Sequence, residues 1–258
     1  MNIGRLARGL TAPGEVTSAG RPSKCGKGST MFLPRVFLAV ALSVCAGHIL
    51  AADDAPAQQE FEPAGGRGRL VVVISGQTGP KNYAYLAKDI AAKGYFAVLV
   101  DGNDMFGKGI PGEERLRGVI ERNQQSPHAQ PGKAAVVGFS LGGGATISYA
   151  PRMPELVSVA VVSYPATRQI QNPKAFVSRI QVPLLMMAGT QDSYHDCCSI
   201  DTARSLAAEA KAAGMDGKFQ LVEYPTGHGW NIQFSKEYRS DISADSLRRT
   251  FDFIEAHP

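Results

Sequence analysis

The chain has 258 residues, 44% of them apolar and 19% charged, a balance typical of a globular domain of α/β size with an additional segment. The formal net charge of +4 arises in the amino-terminal part, because residues 1–52 hold six basic side chains and one acidic one. Residues 53–258 hold 21 basic and 22 acidic side chains, so this part gives no reason to expect a nucleic-acid-binding surface.

Residues 1–52 are predicted to be a leader. A short basic start that begins at Met31 precedes an apolar run from Val36 to Ala46, and small residues then lead into an acidic stretch. This is the layout of a secretory signal peptide, and the run is shorter than the roughly 20 apolar residues that a transmembrane helix needs. We therefore expect a secreted or periplasmic protein with no stable membrane span in its mature form; an uncleaved anchor is the alternative. Residues 1–30 lack periodicity, which suggests the hypothesis that translation starts at Met31.

The rest of the chain is predicted to be a linker over residues 53–68 followed by one domain over residues 69–258. The linker is polar and rich in Gly and Pro, with at most a short first strand. Apolar strand-like runs then occupy residues 70–75, 95–101, 134–138, 156–163, 184–189 and 219–224. Helical patterns occupy residues 82–93, 113–125, 141–150, 200–213 and 243–256.

This alternation of strands and helices predicts an α/β fold. Continuous apolar runs such as Val71 to Ile74 fit strands that are buried on both faces, as in a parallel sheet. We expect a mostly parallel, doubly wound sheet of about six to seven strands with helices on both faces. No predicted insertion is larger than the connection over residues 164–181, so we expect no large lid domain.

The sequence Gly-Phe-Ser-Leu-Gly over residues 138–142 follows a buried-strand pattern. It matches the G-x-S-x-G nucleophile elbow, in which a serine lies on a sharp turn between a strand and a helix. The turn strains the serine backbone, and glycines flank it because larger side chains would collide with the neighbouring strand and helix. Ser140 is therefore the candidate nucleophile, and a helix N-cap is the alternative role for it.

A serine hydroxyl needs a base within hydrogen-bond reach, and that base needs an acid to orient it. In this kind of fold the three follow one another as Ser, Asp or Glu, and His, each just beyond a strand. Asp192 comes soon after the run over residues 184–189, and His228 follows the next run in a loop bracketed by glycines. We predict Asp192 as the acid, with Asp196 as its rival, and His228 as the base. The other histidines of the domain, at 128, 195 and 257, do not follow a strand into such a loop.

Two backbone N–H groups are predicted to bind the oxyanion formed during acyl transfer. One belongs to Leu141, the residue after the nucleophile, and the other should come from the loop over residues 75–80. Within that loop we predict the N–H of Gln77. A tight turn without this role would use the same glycines.

Three polar segments allow more than one interpretation. Residues 101–104 either line the pocket or form a turn, which such residues commonly do. Cys197 and Cys198 could form a vicinal disulfide, join a second chain or stay buried and reduced in a structural role. A zinc site over residues 195–198 is not expected, because adjacent cysteines chelate one ion with poor geometry and the predicted mature chain has no second pair. We expect no cofactor and no metal.

The elbow, the sequence Gly-Thr-Gln-Asp over residues 189–192 and the sequence Tyr-Pro-Thr-Gly-His-Gly-Trp over residues 224–230 resemble the dienelactone hydrolase branch of the α/β-hydrolase superfamily. The similarity covers about residues 70–256. Archetypal members of that branch have a cysteine nucleophile and, in the loop after the first strand, a glutamate that tunes the thiol. This chain has Ser140 as nucleophile and Gly76 at about the place of the glutamate. Many superfamily members also have His-Gly where this chain has Ser75 and Gly76.

The resemblance implies an α/β-hydrolase fold and a serine hydrolase of the carboxylesterase type. We expect Ser140, His228 and Asp192 to cleave an ester-type acyl bond of a small or end-exposed substrate through an acyl-enzyme. A peptidase or amidase on the same scaffold is the alternative among enzymes, and a non-catalytic binding protein that keeps the fold is the alternative outside them. The sequence leaves open the oligomeric state and the acyl and leaving groups of the substrate.

Overall fold

The computed structural model describes residues 56–258, so the predicted leader and the first residues of the predicted linker lie outside the described part. The strands are β1 (Gln58–Phe61), β2 (Leu70–Ile74), β3 (Phe96–Val100), β4 (Ala134–Phe139), β5 (Val157–Ser163), β6 (Leu184–Gly189) and β7 (Phe219–Tyr224). The α-helices are α1 (Ala84–Ala92), α2 (Gly112–Gln124), α3 (Ser140–Tyr149), α4 (Pro173–Val177), α5 (Ile200–Ala212) and α6 (Ser240–Glu255). Short 3-10 helices span Pro80–Asn82, Asp104–Phe106, Ala150–Arg152 and Tyr194–Asp196.

The seven strands form one sheet in the order β1-β3-β2-β4-β5-β6-β7. The edge strand β1 pairs antiparallel with β3, and the other neighbouring strands are parallel. The predicted mostly parallel sheet of six to seven strands is thus confirmed. β1 lies inside the segment interpreted as a linker with at most a short first strand, and this short strand is part of the sheet.

Alternate residues of β2 face opposite sides of the sheet, and both sides are covered by helices. Leu70, Val72 and Ile74 pack in one core with apolar side chains of α2, α3, α4 and α5. Val71 and Val73 pack in a second core with α1 and α6. Burial on both faces explains why the strand reads as an unbroken apolar run rather than as an alternating one.

The five predicted helices are present, with ends that differ by up to three residues from the expected ones. The helix expected from residue 82 begins at Ala84, because a 3-10 turn that opens with Pro80 precedes it. The helix α4, within the connection over residues 164–181, was not predicted; it has five residues and is capped by the Asn172 side chain, which accepts from the N–H of Ala175. Within residues 56–258, no helix is both long enough and apolar enough to cross a membrane.

The winding of the sheet decides where a site can form. The chain leaves β2 toward one edge of the sheet to form β3, and then crosses to the other side of β2 to form β4. The carboxyl ends of β2 and β4 are therefore neighbours at the point where the winding changes direction, which is where open α/β sheets form a crevice. The helix α3 packs closely there, because a methyl group on Gly142 would overlap the carbonyl oxygens of Ile74 and Ser75.

Candidate active site

Ser140 lies at the crevice, between the end of β4 and the first turn of α3. Its φ angle is 52°, which is in the left-handed region that residues other than glycine seldom adopt. Side chains are excluded on both sides of it, since a methyl group on Gly138 would overlap the Thr146 hydroxyl and one on Gly142 would overlap the end of β2. The strained turn expected from the pentapeptide is present.

The structure brings the three side chains of the predicted triad into one hydrogen-bonded chain. The Nε2 atom of His228 lies 2.9 Å from the Oγ atom of Ser140, and its Nδ1 atom lies 2.7 Å from the Oδ2 atom of Asp192. A carboxylate only accepts hydrogen bonds, so Nδ1 donates to Asp192 and Nε2 is left to accept from the serine hydroxyl. The Asp192 side chain is fully buried and that of His228 is 10% exposed, so water competes little for either contact.

Neighbouring strands hold Asp192 and His228 at this distance. β6 and β7 are paired in parallel up to Gly189 and Tyr224, so the loops that follow them leave the sheet side by side. The N–H of Gln191 donates to the carbonyl of Thr226 at 3.1 Å, which ties the two loops together. The second carboxylate oxygen of Asp192 accepts from the N–H of Tyr194 at 3.1 Å, so both oxygens have a fixed partner.

The rival residues lie elsewhere. Asp196 is exposed and has no hydrogen bond to His228 in the part of the chain that the structure describes. His128 contacts Glu62 and the carbonyl of Gly66, and His257 contacts the carbonyl of Phe253. His195 lines the same cavity as Ser140 but contacts Tyr194 by its ring rather than the serine.

Two tyrosine rings enclose the imidazole of His228, and sequence reasoning missed both. The ring of Tyr194 stacks on it at 4.5 Å with an interplanar angle of 7°, and the ring of Tyr164 meets it edge-on at 4.7 Å. Burial raises the pKa of the Tyr164 phenol well above its usual range, so this side chain stays neutral. Its hydroxyl donates to the Asn231 side chain, which belongs to the same loop as His228. In the sequence, the only feature that could have pointed to these tyrosines was their position, since Tyr164 follows the end of β5 and Tyr194 comes soon after the end of β6.

A third tyrosine, Tyr83, occupies the space beside Gly76. A methyl group on Gly76 would overlap the Tyr83 hydroxyl and approach the Cβ atom of Ser140 to 3.1 Å. Burial raises the pKa of Tyr83, while its polar contacts with Tyr164, Thr78 and the backbone of Gly76 oppose that rise. A neutral phenol therefore fills the position at which the resemblance implies a glutamate.

The residues that carry the two predicted oxyanion donors, Gln77 and Leu141, line one cavity together with the serine. Gln77 and Ser140 line the same cavity, and within residues 56–258 the backbone N–H of Gln77 has no protein acceptor. Leu141 is the second residue of α3, where the N–H groups of a helix have no intrahelical acceptor. The Asn103 side chain donates to the carbonyl of Gln77 at 3.1 Å, and Asp101 Oδ1 accepts from Asn103, so the segment over residues 101–104 is a turn that supports this loop.

Two connected cavities open at Ser140. The larger, of about 530 Å³, extends toward the loop after His228 and is lined by the side chains of Ile232 and Phe234. The smaller, of about 290 Å³, lies on the side of Leu141 and Cys197. Both include Gln77, Tyr194 and His195. The larger has the volume of a pocket for a small molecule.

Cys197 and Cys198 form a disulfide, which selects one of the three interpretations of this pair. Their sulfurs and a ring nitrogen of His228 all lie within 4.8 Å of one another, a combination of atoms that soft metals favour. Metal ligation by cysteine requires thiolates, which a disulfide does not offer, and both nitrogens of His228 already have partners. The oxidised pair therefore provides no complete ligand set.

Comparison with known proteins places this site in a family. A model described as the dienelactone hydrolase family matches residues 111–257, which include Ser140, Asp192 and His228. No curated protein sequence matches.

Solved structures match in fold. A candidate dienelactone hydrolase from Klebsiella pneumoniae is 18% identical, with 77% of this chain and 99% of that chain covered and a TM-score of 0.64. The esterase Pf2001 from Pyrococcus furiosus is 13% identical, with 82% and 96% covered and a TM-score of 0.59. An acylaminoacyl peptidase from Pyrococcus horikoshii is 17% identical, with 77% of this chain but 38% of that chain covered and a TM-score of 0.56.

The contact between Gly76 and Tyr83 can be tested through the reactivity of Ser140. We expect Gly76→Ala to slow labelling of Ser140 by a fluorophosphonate by about tenfold or more, because the added methyl pushes on both Tyr83 and the serine. Combining it with Tyr83→Phe removes the overlapping oxygen and should recover part of the rate. Gly65→Ala is the matched control, since no atom lies within 4 Å of a methyl group there. Labelling of Gly76→Ala at the wild-type rate would contradict this account.

Proposed function

Because this chain belongs to the dienelactone hydrolase family and is a hydrolase of the esterase type, we propose that it cleaves an ester-type acyl bond of a small or end-exposed substrate with Ser140 as nucleophile. The observation that carries the proposal is the hydrogen-bonded chain from Ser140 through His228 to Asp192, with the serine on a strained turn at the floor of a cavity. The proposal needs no cofactor.

In the first half of the reaction, the Oγ atom of Ser140 attacks the carbonyl carbon of the substrate. Buried Asp192 fixes the tautomer of the neutral imidazole, Nε2 of His228 takes the hydroxyl proton, and Asp192 then stabilises the resulting imidazolium. The backbone N–H groups of Gln77 and Leu141 bind the negative oxygen of the tetrahedral intermediate. His228 then donates its proton to the leaving alcohol, which leaves an acyl group on Ser140.

In the second half, water takes the place of the leaving alcohol. His228 accepts a proton from the water, which attacks the acyl carbon, and the same oxyanion donors act again. Collapse of the intermediate releases the acid and returns the proton to Ser140. The rings of Tyr194 and Tyr164 keep the imidazole in one orientation during both proton transfers.

Two alternatives differ in what is bound or cleaved. A peptidase or amidase activity is favoured by the similarity in fold to an acylaminoacyl peptidase, although this chain covers 38% of that protein. A binding protein without catalysis would not need a buried acid hydrogen-bonded to the histidine, and the intact chain of contacts disfavours it.

The absence of an inserted lid domain within residues 56–258 supports a small or end-exposed substrate.

We also propose that the protein is exported after removal of residues 1–52. The signal-peptide layout of the leader supports export, and the disulfide between Cys197 and Cys198 supports an oxidising compartment such as the periplasm or the extracellular medium.

The roles of the triad can be tested by substitution. Ser140→Ala and Asp192→Asn are expected to lower kcat/KM by about 10⁴-fold or more, since the first removes the nucleophile and the second removes the charge that orients His228. Their thermal unfolding midpoints should stay near the wild-type value. Asp196→Asn is the matched control and should retain activity. An active Ser140→Ala variant, or equal losses at Asp196 and Asp192, would refute the assignment.

The choice between esters and amides can be measured directly. Nitrophenyl esters of graded acyl length and peptide nitroanilides would be compared by kcat/KM, with Ser140→Ala as the background control. We expect the esters to be turned over and the anilides to be turned over much more slowly, because the cavity, of about 530 Å³, has the volume of a pocket for a small molecule. Preference for the anilides would favour the peptidase alternative.

Export can be tested by sequencing the amino terminus of the protein recovered from the periplasm or the medium. We expect a first residue close to Asp53, because small residues at the end of the apolar segment suit cleavage there. Met31→Leu should abolish production if translation starts at Met31. A mature protein that begins upstream of Met31 would overturn both the start site and the cleavage site.

A further inference from the structure

The disulfide between Cys197 and Cys198 forms part of the wall of the candidate active site. Cys197 is half-buried and lines the smaller cavity together with Ser140 and Leu141. Cys198 is buried, with 4% of its surface exposed. Both sulfurs lie within 4.8 Å of a ring nitrogen of His228. A small molecule in the cleft can thus approach the first sulfur of the bond but not the second.

The loop that contains the disulfide also contains groups that position the triad. Tyr194 stacks on His228, and its N–H donates to Asp192. The next two residues, His195 and Asp196, have φ angles of 48° and 51°. Left-handed backbone costs residues other than glycine roughly 1 kcal/mol or more each, so the surrounding structure must hold this segment in place.

The anchor of that segment is Cys197. Its carbonyl accepts hydrogen bonds from the N–H groups of Thr167 and Arg168 at 2.7 and 3.0 Å, and its own N–H donates to the carbonyl of Tyr194 at 3.0 Å. The disulfide joins Cys197 to Cys198, which lies two residues before the start of α5, and closes a ring that contains the peptide unit between them. The backbone of the loop is thus fixed at Asp192 on one side and at this hydrogen-bonded peptide unit on the other.

We propose that the Cys197–Cys198 disulfide is a site of thiol exchange within the catalytic cleft, at which a small thiol reversibly inhibits the hydrolase. The thiolate of the small molecule attacks the sulfur of Cys197, the bond to Cys198 breaks, and Cys198 leaves as a thiolate that takes a proton from solvent. The product is a mixed disulfide on Cys197. A second thiol attacks the small-molecule sulfur of this adduct, which releases the oxidised small disulfide and a reduced Cys197.

The location decides which sulfur reacts and which thiols can react. Attack occurs at Cys197 because this residue lines the cavity, whereas Cys198 is buried. A cavity of about 290 Å³ admits a thiol of amino-acid size. It does not admit the reactive cysteine of a folded protein, which sits on a much larger surface.

The effect on catalysis rests on the proposed function. The adduct on Cys197 occupies the cavity beside Ser140 and Leu141, where one side of the substrate and the oxyanion must fit. Full reduction opens the ring that restrains the peptide unit between Cys197 and Cys198, so the hydrogen-bonded carbonyl of Cys197 is held less firmly and Tyr194 restrains the imidazole less. We expect both products to have a kcat/KM lower by about tenfold or more, since small displacements of catalytic groups have effects of this size.

The experiment uses the oxidised full chain and free cysteine as the probe. After incubation and acid quenching, free thiols are alkylated, and peptides that contain Cys197 and Cys198 are mapped by mass spectrometry, with Cys25 and Cys45 mapped separately. We expect the cysteine adduct on Cys197, alkylation on Cys198, and a parallel loss of ester turnover that reverses on reoxidation. Reduced thioredoxin, which presents its thiol on a protein surface, should react far more slowly.

The variant Cys197→Ala/Cys198→Ala should show the low activity of the reduced enzyme and no response to cysteine. If this variant does not fold, the wild-type adduct and activity measurements decide the question. The proposal is overturned if no adduct forms on Cys197 while a peptide disulfide in the same tube is reduced, or if the adduct forms without loss of turnover. Failure of the proposed function looks different, because the oxidised enzyme would then be inactive before any thiol was added, while the adduct could still be mapped.

Discussion

The left-handed backbone at Ser140 is the constraint on which the rest of the site depends. A residue other than glycine adopts it here because the end of β4 and the start of α3 are held against β2 with no room for side chains at Gly138 and Gly142. That close packing projects the serine hydroxyl into the crevice at the switch point of the sheet. It also presents the N–H of Leu141 next to the loop that carries Gln77.

Strand pairing, rather than local sequence, brings Asp192 and His228 next to the serine. Because β6 and β7 are parallel neighbours, an acid after one and a histidine after the other emerge at the same edge of the sheet. Aromatic packing then fixes the position of the loop that carries His228. Trp230 is fully buried, meets Tyr164 edge-on at 4.6 Å, and its backbone carbonyl accepts from the N–H of Arg239 at 2.9 Å. The histidine loop therefore rests on a rigid aromatic base, which limits the motion of the imidazole.

Much of this arrangement could be predicted from the sequence because it depends on patterns with a period. Strand-like apolar runs that alternate with helical patterns indicated the six parallel strands, and the fixed chain order of the triad selected Asp192 and His228 before their distances were known. Features that depend on contacts between distant segments could not be predicted in this way. The five-residue helix α4 is too short to show a period. Tyr83, Tyr164 and Tyr194 look like ordinary core or loop aromatics until the fold places them around the serine and the imidazole. For the adjacent cysteines, the sequence favoured a buried or structural role over a vicinal disulfide or a bond to a second chain, and the structure shows the disulfide.

This chain has Gly76 at about the place where the resemblance implies a glutamate, and it has a serine as nucleophile. These two features have a common physical basis. The resemblance implies that a carboxylate in the loop after the first strand tunes a cysteine thiol in archetypal relatives. A serine hydroxyl ionises far less readily than a thiol, and its activation requires direct transfer of the proton to a base, here His228 at 2.9 Å. A second carboxylate beside the serine would add negative charge where the oxyanion must form. The neutral phenol of Tyr83 fills that space instead, and its polar contacts with Thr78 and Tyr164 connect the loop of the oxyanion donors to the aromatic contacts of His228. A loop without a carboxylate beside the serine therefore suits an oxygen nucleophile, and the neutral phenol of Tyr83 occupies the space next to Gly76.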